Sequence, residues 1–273
     1  REGRRKHGRK PLQSVFTRNC LERGRDIDDG GAPCNWVECS FVGLANLADS
    51  LHVIRREVYE GDLSLSRLHD MLAGGFADSE LDRERFSAHA KYGNGVSEVD
   101  ELVNDVVTFA SGECSRQQIQ PEGGRFVPGA FCWIMHEHLG RECGATPDGR
   151  LAGVPFADGC GPAQGRECSG PTTAILSTTS WDHSPLIGGA AYNMKFPGKL
   201  FTNDDAQRKL RSLVLTFLRR GGFETQINVV DARILHEAQQ TPAAFRDLVV
   251  RIGGYTDYFV HLSREMQDEV ILR

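Results

Sequence analysis

Apolar residues recur at helical spacing over residues 44–60 of this chain. They fall on one face of the turn, with charged residues on the rest of it, at Leu44, Leu47, Leu51, Ile54 and Val58. An apolar stripe of this kind is typical of an amphipathic helix that packs on a core. Gly61 follows and marks the end of the predicted helix.

Two shorter segments show the same periodicity. The apolar positions predict a helix over residues 65–72, which Gly74 ends, and another over residues 96–109. Ser97, followed three residues later by Asp100, resembles a capping box at the start of the second helix. We assign these helices to the core and give them no chemical role.

Two segments in the second half of the sequence carry strand patterns. Residues 172–180 are rich in β-branched side chains, and residues 223–229 alternate between apolar and polar positions. From residue 143 to residue 171, glycine, proline, alanine and aspartate dominate without a sustained period, which predicts an irregular segment.

Further helices are predicted around the second of these strands. Apolar spacing marks residues 210–218, and Asp231 can cap a helix over residues 231–240. A threonine followed by proline predicts the start of another helix over residues 241–248, and residues 263–273 form a last helical pattern. Helices that alternate with strands indicate an α/β class.

The composition is that of a globular chain with a sizeable core. With 273 residues and 40% hydrophobic content, the sequence can form one or two domains. A formal net charge of −5 favours neither nucleic acid nor an anionic membrane as a partner. No apolar run approaches the roughly 20 residues that a membrane-spanning helix requires. We therefore expect neither a nucleic acid nor a membrane as a partner.

Both ends of the sequence look cut. The first residue is Arg1 rather than Met, and Arg273 falls inside a helical pattern, so we expect the C-terminal part of a longer protein. Residues 1–10 are strongly basic, but they lack the interleaved aromatic residues of a nucleic-acid contact, and we interpret them as a solvated end.

The cysteines form no metal-binding or disulfide signature. Eight are present, with no CxxC pair among them, and a domain with a good apolar core favours reduced thiols in a cytoplasm. The segment 136–138 is His-Glu-His, which lacks the i, i+4 histidine spacing of a zinc helix. We therefore predict no metal site.

Residues 249–259 place two glycines between a β-branched run and an aromatic cluster. One interpretation is an ordinary turn, because two adjacent glycines are a strong turn signal. The other interpretation comes from a resemblance of this run to the signature of the glycyl radical enzymes, which implies that the glycine before the tyrosine, here Gly254, stores an unpaired electron. A radical centred on a Cα atom is planar and delocalised into the flanking amides, and any side chain would crowd it, so Gly254 offers a bare carbon for such a radical.

Further motifs precede this loop in a definite order, at residues 35–43, 124–129, 144–150, 157–159, 170–172 and 222–231. Together with the run Val-Arg-Ile-Gly-Gly-Tyr, they resemble the glycyl radical enzymes, the pyruvate formate-lyase superfamily, over nearly the whole chain. The run Ala-Thr-Pro-Asp-Gly-Arg and the run Gln-Ile-Asn-Val-Val are the most specific of them.

The resemblance implies the fold and its division. It implies an α/β barrel of ten strands in two five-stranded halves, of which this chain supplies roughly the second half, followed by a C-terminal glycine-loop domain. We place the barrel part at residues 1–148 and the glycine radical domain at residues 149–273.

The same resemblance implies a radical relay. Gly254 would hold the unpaired electron, installed after translation by a separate activating enzyme that uses S-adenosylmethionine and an iron-sulfur cluster. The radical would pass to a cysteine, and the cysteine would act on a small organic substrate. No bound cofactor is expected in the chain itself. A homodimer in an anaerobic cytoplasm is also implied.

The cysteine of this relay is expected upstream of Arg1. In the family it lies in a Gly-Cys-(apolar)-Glu loop, which Cys20 matches only in part because Asn19 replaces the glycine. Cys39 follows its glutamate instead of preceding it. We interpret both cysteines as structural thiols.

Three other residues are candidates for supporting roles. Arg251 is predicted to orient the glycine loop by hydrogen bonding, and Tyr255 either shields the radical or simply packs around the loop. His183 is either an acid or base that reaches the cavity or an ordinary hydrogen-bonded histidine, and we favour the second interpretation.

The resemblance leaves the reaction open. A carbon–carbon or carbon–nitrogen lyase or a dehydratase is favoured. The alternatives are a formate C-acetyltransferase, which is pyruvate formate-lyase itself, a binding or scaffold homologue that has lost the radical, and a small protein that carries only the glycine domain. The barrel-like material from Pro11 to Gly140 argues against the last of these.

Overall fold

The computed structural model describes residues 2–119 and 124–272. Arg1 and Arg273, which begin the predicted basic end and close the last predicted helix, lie outside them. The strands are β1 (Trp36–Ser40), β2 (Gln118–Ile119), β3 (Gly124–Gly129), β4 (Ala191–Phe196), β5 (Glu224–Val229), β6 (Val249–Arg251) and β7 (Thr256–Tyr258).

The α-helices of the described residues are α1 (Glu2–His7), α2 (Pro11–Val15), α3 (Cys20–Arg23), α4 (Leu44–Ile54), α5 (Leu65–Ala73), α6 (Glu80–Ala88), α7 (Ser97–Arg116), α8 (Met135–Glu142), α9 (Gly170–Thr178), α10 (Asp204–Arg219), α11 (Ala232–Gln240) and α12 (Arg264–Leu272). Shorter turns are the π-helical Arg55–Tyr59 and the 3₁₀ segments Ile27–Asp29, Gly198–Phe201, Pro242–Ala244 and Phe259–His261.

Four strands run parallel. β1 pairs with β3, and β4 pairs with β5, each in parallel register. A parallel bridge between Ala130 and Ala190 joins the end of β3 to the start of β4, which gives the order β1, β3, β4, β5. The short β2 lies antiparallel to the start of β3. Parallel strands connected through helices are the arrangement expected of the predicted α/β class.

The largest hydrophobic core lies between these strands and the helices that cover them. It includes Leu44 and Ala48 of α4 and Val99, Val103 and Val107 of α7, all buried. Tyr192 of β4 and Phe217 of α10 belong to the same core. The core therefore draws side chains from both sides of residue 148, where the sequence motifs suggest a division.

The predicted helices of the first half are confirmed, with one error at a cap. α4 and its π-helical turn reach Tyr59, and α5 covers Leu65–Ala73. The prediction of a capping box at the start of α7 is wrong, because no side chain forms a capping hydrogen bond at this helix. Asp100 is buried instead and accepts a hydrogen bond from the Ser177 hydroxyl, so it cannot reach back to the helix start.

The strand predicted over residues 172–180 is wrong, because this segment forms α9. Pro171 lies in the first turn of the helix, where its missing N–H is not needed. The hydroxyls of Thr178 and Thr179 donate to the carbonyl oxygen of Ile175 at 3.2 and 2.6 Å. Burial of one helical face at Ala174 and Ile175 overrides the β-branched preference of the sequence.

The helix predicted over residues 241–248 is also wrong, since only Pro242–Ala244 forms a 3₁₀ turn. The hydroxyl of Thr241 donates backwards to the carbonyl oxygen of Glu237 at 2.9 Å and so closes α11 instead of opening a new helix. Further on, the carbonyl oxygen of Leu248 accepts from the N–H of Phe259 at 2.8 Å, which draws the chain into a hairpin.

The remaining predictions for the second half are confirmed. The strand over residues 223–229 is β5, and Asp231 caps α11 by accepting from the N–H of Arg233 at 2.9 Å. α10 contains the predicted residues 210–218 but begins earlier. Of the irregular segment predicted over residues 143–171, residues 143–169 contain no helix or strand and are all described, whereas Gly170 and Pro171 begin α9.

A second, smaller core supports the C-terminal hairpin. Strands β6 and β7 are antiparallel, and Val250 and Ile252 of the hairpin are buried against Leu235 of α11 and Val270 of α12. Phe259 completes this core at the end of β7. The core fixes the hairpin that carries the two glycines.

Candidate functional site

The glycine pair lies at the turn of the β6–β7 hairpin. Arg251 is opposite Thr256 in the antiparallel register, and the N–H of Ile252 donates to the carbonyl oxygen of Tyr255 at 2.9 Å across the turn. Ile252 is fully buried, while Gly254 is half-buried. The anchored flanks hold Gly254 at the edge of the packed interior.

Gly254 occupies a position that other residues do not fit. Its φ is +82°, in the left-handed region that glycine adopts at little cost. A Cβ atom added there would lie 2.7 Å from Cε2 of Phe131 and closer still to Cζ. At Gly253 the nearest atom to an added Cβ is the carbonyl oxygen of Trp133, at 3.0 Å. Both the backbone conformation and the Phe131 ring thus select glycine at position 254.

Two amide side chains of β5 hold the hairpin. Gln226 Oε1 accepts from the N–H of Gly254 at 2.9 Å and from Nε of Arg251 at 3.3 Å. Asn228 Nδ2 donates to the carbonyl oxygen of Arg251 at 2.7 Å, and its Oδ1 accepts from the Arg251 N–H at 2.7 Å. Both amides are buried. Side chains two residues apart on a strand share a face, which is why both reach the hairpin.

Sequence analysis did not identify a role for Gln226 or Asn228, although both lie in the run Gln-Ile-Asn-Val-Val, one of the most specific motifs. The available signal was the alternation of amides within a strand that has apolar residues at Ile227 and Val229. The contact between Phe131 and Gly254 had no local signal, since it joins residues far apart in the sequence.

The two predicted supporting residues lie at the hairpin. Arg251 donates from Nε to the side-chain carbonyl of Gln226. Tyr255 is half-buried against the smaller core. Burial raises the pKa of the Tyr255 hydroxyl, and the nearby Asp257 carboxylate raises it further, so the phenol remains protonated.

His183 is a structural histidine. It is buried, its Nε2 lies 2.6 Å from the carbonyl oxygen of Thr178, and its Nδ1 accepts from the N–H of Phe223 at 3.3 Å. Its ring stacks on Trp181 with 4.1 Å between centroids. Burial lowers the pKa of His183, which keeps the ring neutral. The favoured interpretation of an ordinary hydrogen-bonded histidine agrees with this placement.

The structure brings neither Cys20 nor Cys39 into a hydrogen bond with the glycine loop. Cys20 is buried, and its sulfur packs against Gly31. Cys39 is exposed on β1 beside Cys114 of α7. Burial, followed by the neighbouring Cys39, raises the pKa of the Cys114 thiol.

A buried cysteine adjoins the residue that packs on Gly254. Cys132 follows Phe131 and donates from Sγ to the carbonyl oxygen of Asp158 at 2.9 Å. The same sulfur lies 3.6 Å from Nδ1 of His136. The sequence had given this residue no role. These contacts fix the loop on which Phe131 lies.

The described residues contain no group of three or more His, Cys, Asp or Glu side chains placed to hold a metal ion. Among them no helix has both the length and the apolar character needed to cross a membrane.

Known proteins are similar to this chain in both sequence and fold. Residues 2–140 match the family described as pyruvate formate lyase-like, and residues 156–260 match the family described as glycine radical. The chain is 33% identical over 272 residues to the probable dehydratase YbiW of Escherichia coli strain K12, covering 96% of the chain and 34% of that protein. It is 32% identical over 270 residues to the trans-4-hydroxy-L-proline dehydratase of Clostridioides difficile, covering 98% of the chain and 34% of that protein.

The fold is similar to that of the B12-independent glycerol dehydratase from Clostridium butyricum. The TM-score is 0.94 at 34% identity, and the match covers 100% of this chain and 35% of that one. The α/β class and the glycyl radical enzyme type of barrel are thereby confirmed.

These findings define the class as that of the glycyl radical enzymes. Within it, the chain belongs to the pyruvate formate lyase-like family, and its C-terminal region is of the glycine radical type. The chain spans about a third of the length of the relatives that it matches.

Proposed function

We propose that Gly254 is the glycine that stores the unpaired electron in a glycyl radical enzyme. One observation carries the proposal: Gly254 is held half-buried at a hairpin turn whose backbone angle and whose contact with Phe131 leave no room for a side chain. A bare α-carbon in a fixed, partly shielded position is what a stored planar radical needs. The match of residues 156–260 to the glycine radical family supports the same assignment.

The relay transfers one hydrogen atom in each direction. A separate activating enzyme, which uses S-adenosylmethionine and an iron-sulfur cluster, removes a hydrogen atom from the Gly254 Cα and leaves one electron there. In turnover the Cα–H bond forms again at the expense of the S–H bond of a cysteine, and the sulfur then carries the radical to the substrate. The protein's own task is to position the α-carbon and exclude water and oxygen. Arg251 and Tyr255 support the loop.

We propose a dehydratase or a carbon–carbon or carbon–nitrogen lyase acting on a small organic substrate. The names of the similar proteins, two of them dehydratases and one a probable dehydratase, support this class over a formate C-acetyltransferase. The remaining alternative is a scaffold homologue without a radical. Detection of a radical would distinguish the enzyme from such a scaffold.

The partners and the division of the chain follow as parts of the proposal. The activating enzyme and the substrate are its partners, and the protein acts as a homodimer in an anaerobic cytoplasm. A boundary between residues 1–148 and 149–273 is supported by the two family matches, which end at residue 140 and resume at residue 156.

Electron paramagnetic resonance after anaerobic activation tests the proposal. The protein incubated with a glycyl radical activating enzyme, S-adenosylmethionine and a reductant should give a doublet from the single remaining α-hydrogen. The doublet should be absent in Gly254→Ala and retained in the matched control Gly253→Ala. Exposure to air should then cleave the activated chain at Gly254, which mass spectrometry detects.

The control for activation is a relative that the same activating enzyme converts to its radical form. If that relative gives a doublet and this protein gives none and stays intact in air, the proposed role of Gly254 is wrong.

A further inference from the structure

Gln226 presents its amide to partners of opposite character on its two sides. On one side, the N–H of Gly254 and the Nε–H of Arg251 both donate to Oε1, at 2.9 and 3.3 Å. On the other side, Nε2 donates to Oε1 of Glu224 at 2.9 Å. A reversed amide would set an NH₂ group against two donors and an oxygen against a carboxylate, so only this orientation satisfies all three partner groups.

Gln226 is also buried, with 5% of the residue's surface exposed. An N–H that donates to a buried acceptor loses its partner when that acceptor is removed, and the unpaired donor is costly. The hydrogen bond to Gly254 is therefore a fixed feature of the hairpin and does not exchange freely with solvent.

We propose that Gln226 is the positioning residue for Gly254, because its carbonyl oxygen fixes the Gly254 amide and so sets where the α-carbon lies. The inference rests on the proposed function of Gly254. A hydrogen atom moves between carbon and sulfur only when the two atoms are held in close contact, and small displacements slow such transfers steeply. Gln226 acts on the α-carbon through the adjacent amide and touches no reacting atom.

Asn228 provides the contrast that makes the role of Gln226 specific. It lies two residues along the same strand and is equally buried, but its amide pairs with the backbone of Arg251 and not with Gly254. Asn228 thus attaches strand β6, whereas Gln226 attaches the glycine itself. Loss of either amide weakens the hairpin, and only loss of Gln226 frees the Gly254 N–H.

Three variants separate these effects. Gln226→Met keeps the length of the side chain and removes the acceptor. Asn228→Leu is the matched control, since it removes the amide that holds Arg251. The double variant Glu224→Gln with Gln226→Glu exchanges amide and carboxylate, so that position 226 again presents an acceptor to Gly254 and position 224 supplies the donor. Circular dichroism confirms folding of each variant.

Hydrogen exchange at the Gly254 amide is the first readout and needs no radical. Gln226→Met should exchange at least about tenfold faster than wild type, whereas Asn228→Leu and the exchanged pair should stay near the wild-type rate at this amide. The second readout is the doublet formed in a fixed activation time, which should fall by about tenfold or more in Gln226→Met and recover in the exchanged pair.

The outcomes distinguish failure of the positioning role of Gln226 from failure of the proposed function of Gly254. An unchanged exchange rate in Gln226→Met, an undiminished doublet in that variant, or no recovery in the exchanged pair would each overturn the positioning role. If Gln226→Met does not fold, the exchanged pair decides alone, since only the acceptor at position 226 should preserve protection and doublet. A wild-type protein without a doublet refutes the proposed function instead, and the exchange rates still show whether Gln226 holds Gly254.

Discussion

Replacing Gly254 with alanine should destabilise the protein through two separate effects. A left-handed backbone angle of φ +82° costs a residue with a Cβ about 1–2 kcal/mol. The added methyl would also lie 2.7 Å from Cε2 of Phe131, about 1 Å inside an ordinary carbon–carbon contact. Overpacking of this kind typically costs about 1–3 kcal/mol. The expected loss for Gly254→Ala is therefore about 2–5 kcal/mol.

A double-mutant cycle with Phe131→Ala measures the packing part separately. Removal of the ring relieves the clash and leaves the backbone cost, so the two substitutions should couple favourably by about 1–3 kcal/mol in denaturant-induced unfolding. Gly253→Ala is the control, because the nearest atom to its Cβ is 3.0 Å away and its φ is not positive, so it should cost less. If Gly254→Ala unfolds at the wild-type denaturant concentration, or the cycle shows no coupling, Phe131 does not restrict this position.

Three further perturbations test the core. Burial raises the pKa of Asp49 to about 7 from an ordinary value of 3.8, so its contribution to stability is present at low pH and is lost as the pH rises through the folded-state pKa. The free energy of unfolding should fall by about 3 kcal/mol between about pH 5 and about pH 8, and Asp49→Asn should flatten this profile in urea titrations. Arg150→Lys should cost about 2–4 kcal/mol in thermal unfolding, because buried Arg150 donates to several backbone carbonyls and stacks 4.1 Å from the Phe156 ring; an unchanged melting temperature would contradict this. Tyr92→Phe should cost about 1–3 kcal/mol in urea unfolding, because the hydroxyl accepts from Trp181 Nε1 at 2.8 Å and a phenyl ring would leave that donor unpaired; a wild-type midpoint would refute the estimate.

Local periodicity predicted the elements whose burial follows one face. The stripe beginning at Leu44 became α4 and its extension, and the alternation over residues 223–229 became β5. The strand predicted over residues 172–180 was wrong because the preference of β-branched side chains for strands can be overridden by packing. Here Ala174 and Ile175 are buried on one face of a helix. Sequence pattern states what a segment prefers, whereas distant contacts decide what it adopts.

The role of Gly254 stays a prediction, and the residues that surround it could not be predicted from the sequence. Gly254 was proposed from the run of residues around it together with the motifs that precede it, all of which can be read from the sequence. Gln226 and Asn228 reach the hairpin from β5, and Phe131 reaches it from the loop after β3, so only the three-dimensional fold reveals these contacts. The wrong prediction of a capping box at Ser97 also arose from a distant contact, because buried Asp100 accepts a hydrogen bond from Ser177.

The shared interior across residue 148 bears on how the chain can be divided. Leu44 and Val99 on one side of that position pack into the same cluster as Tyr192 and Phe217 on the other. Two polypeptides separated at that point would each expose a wide apolar surface, and each surface would match the other. Co-expressed halves should therefore reassemble by fragment complementation, while either half expressed by itself should aggregate.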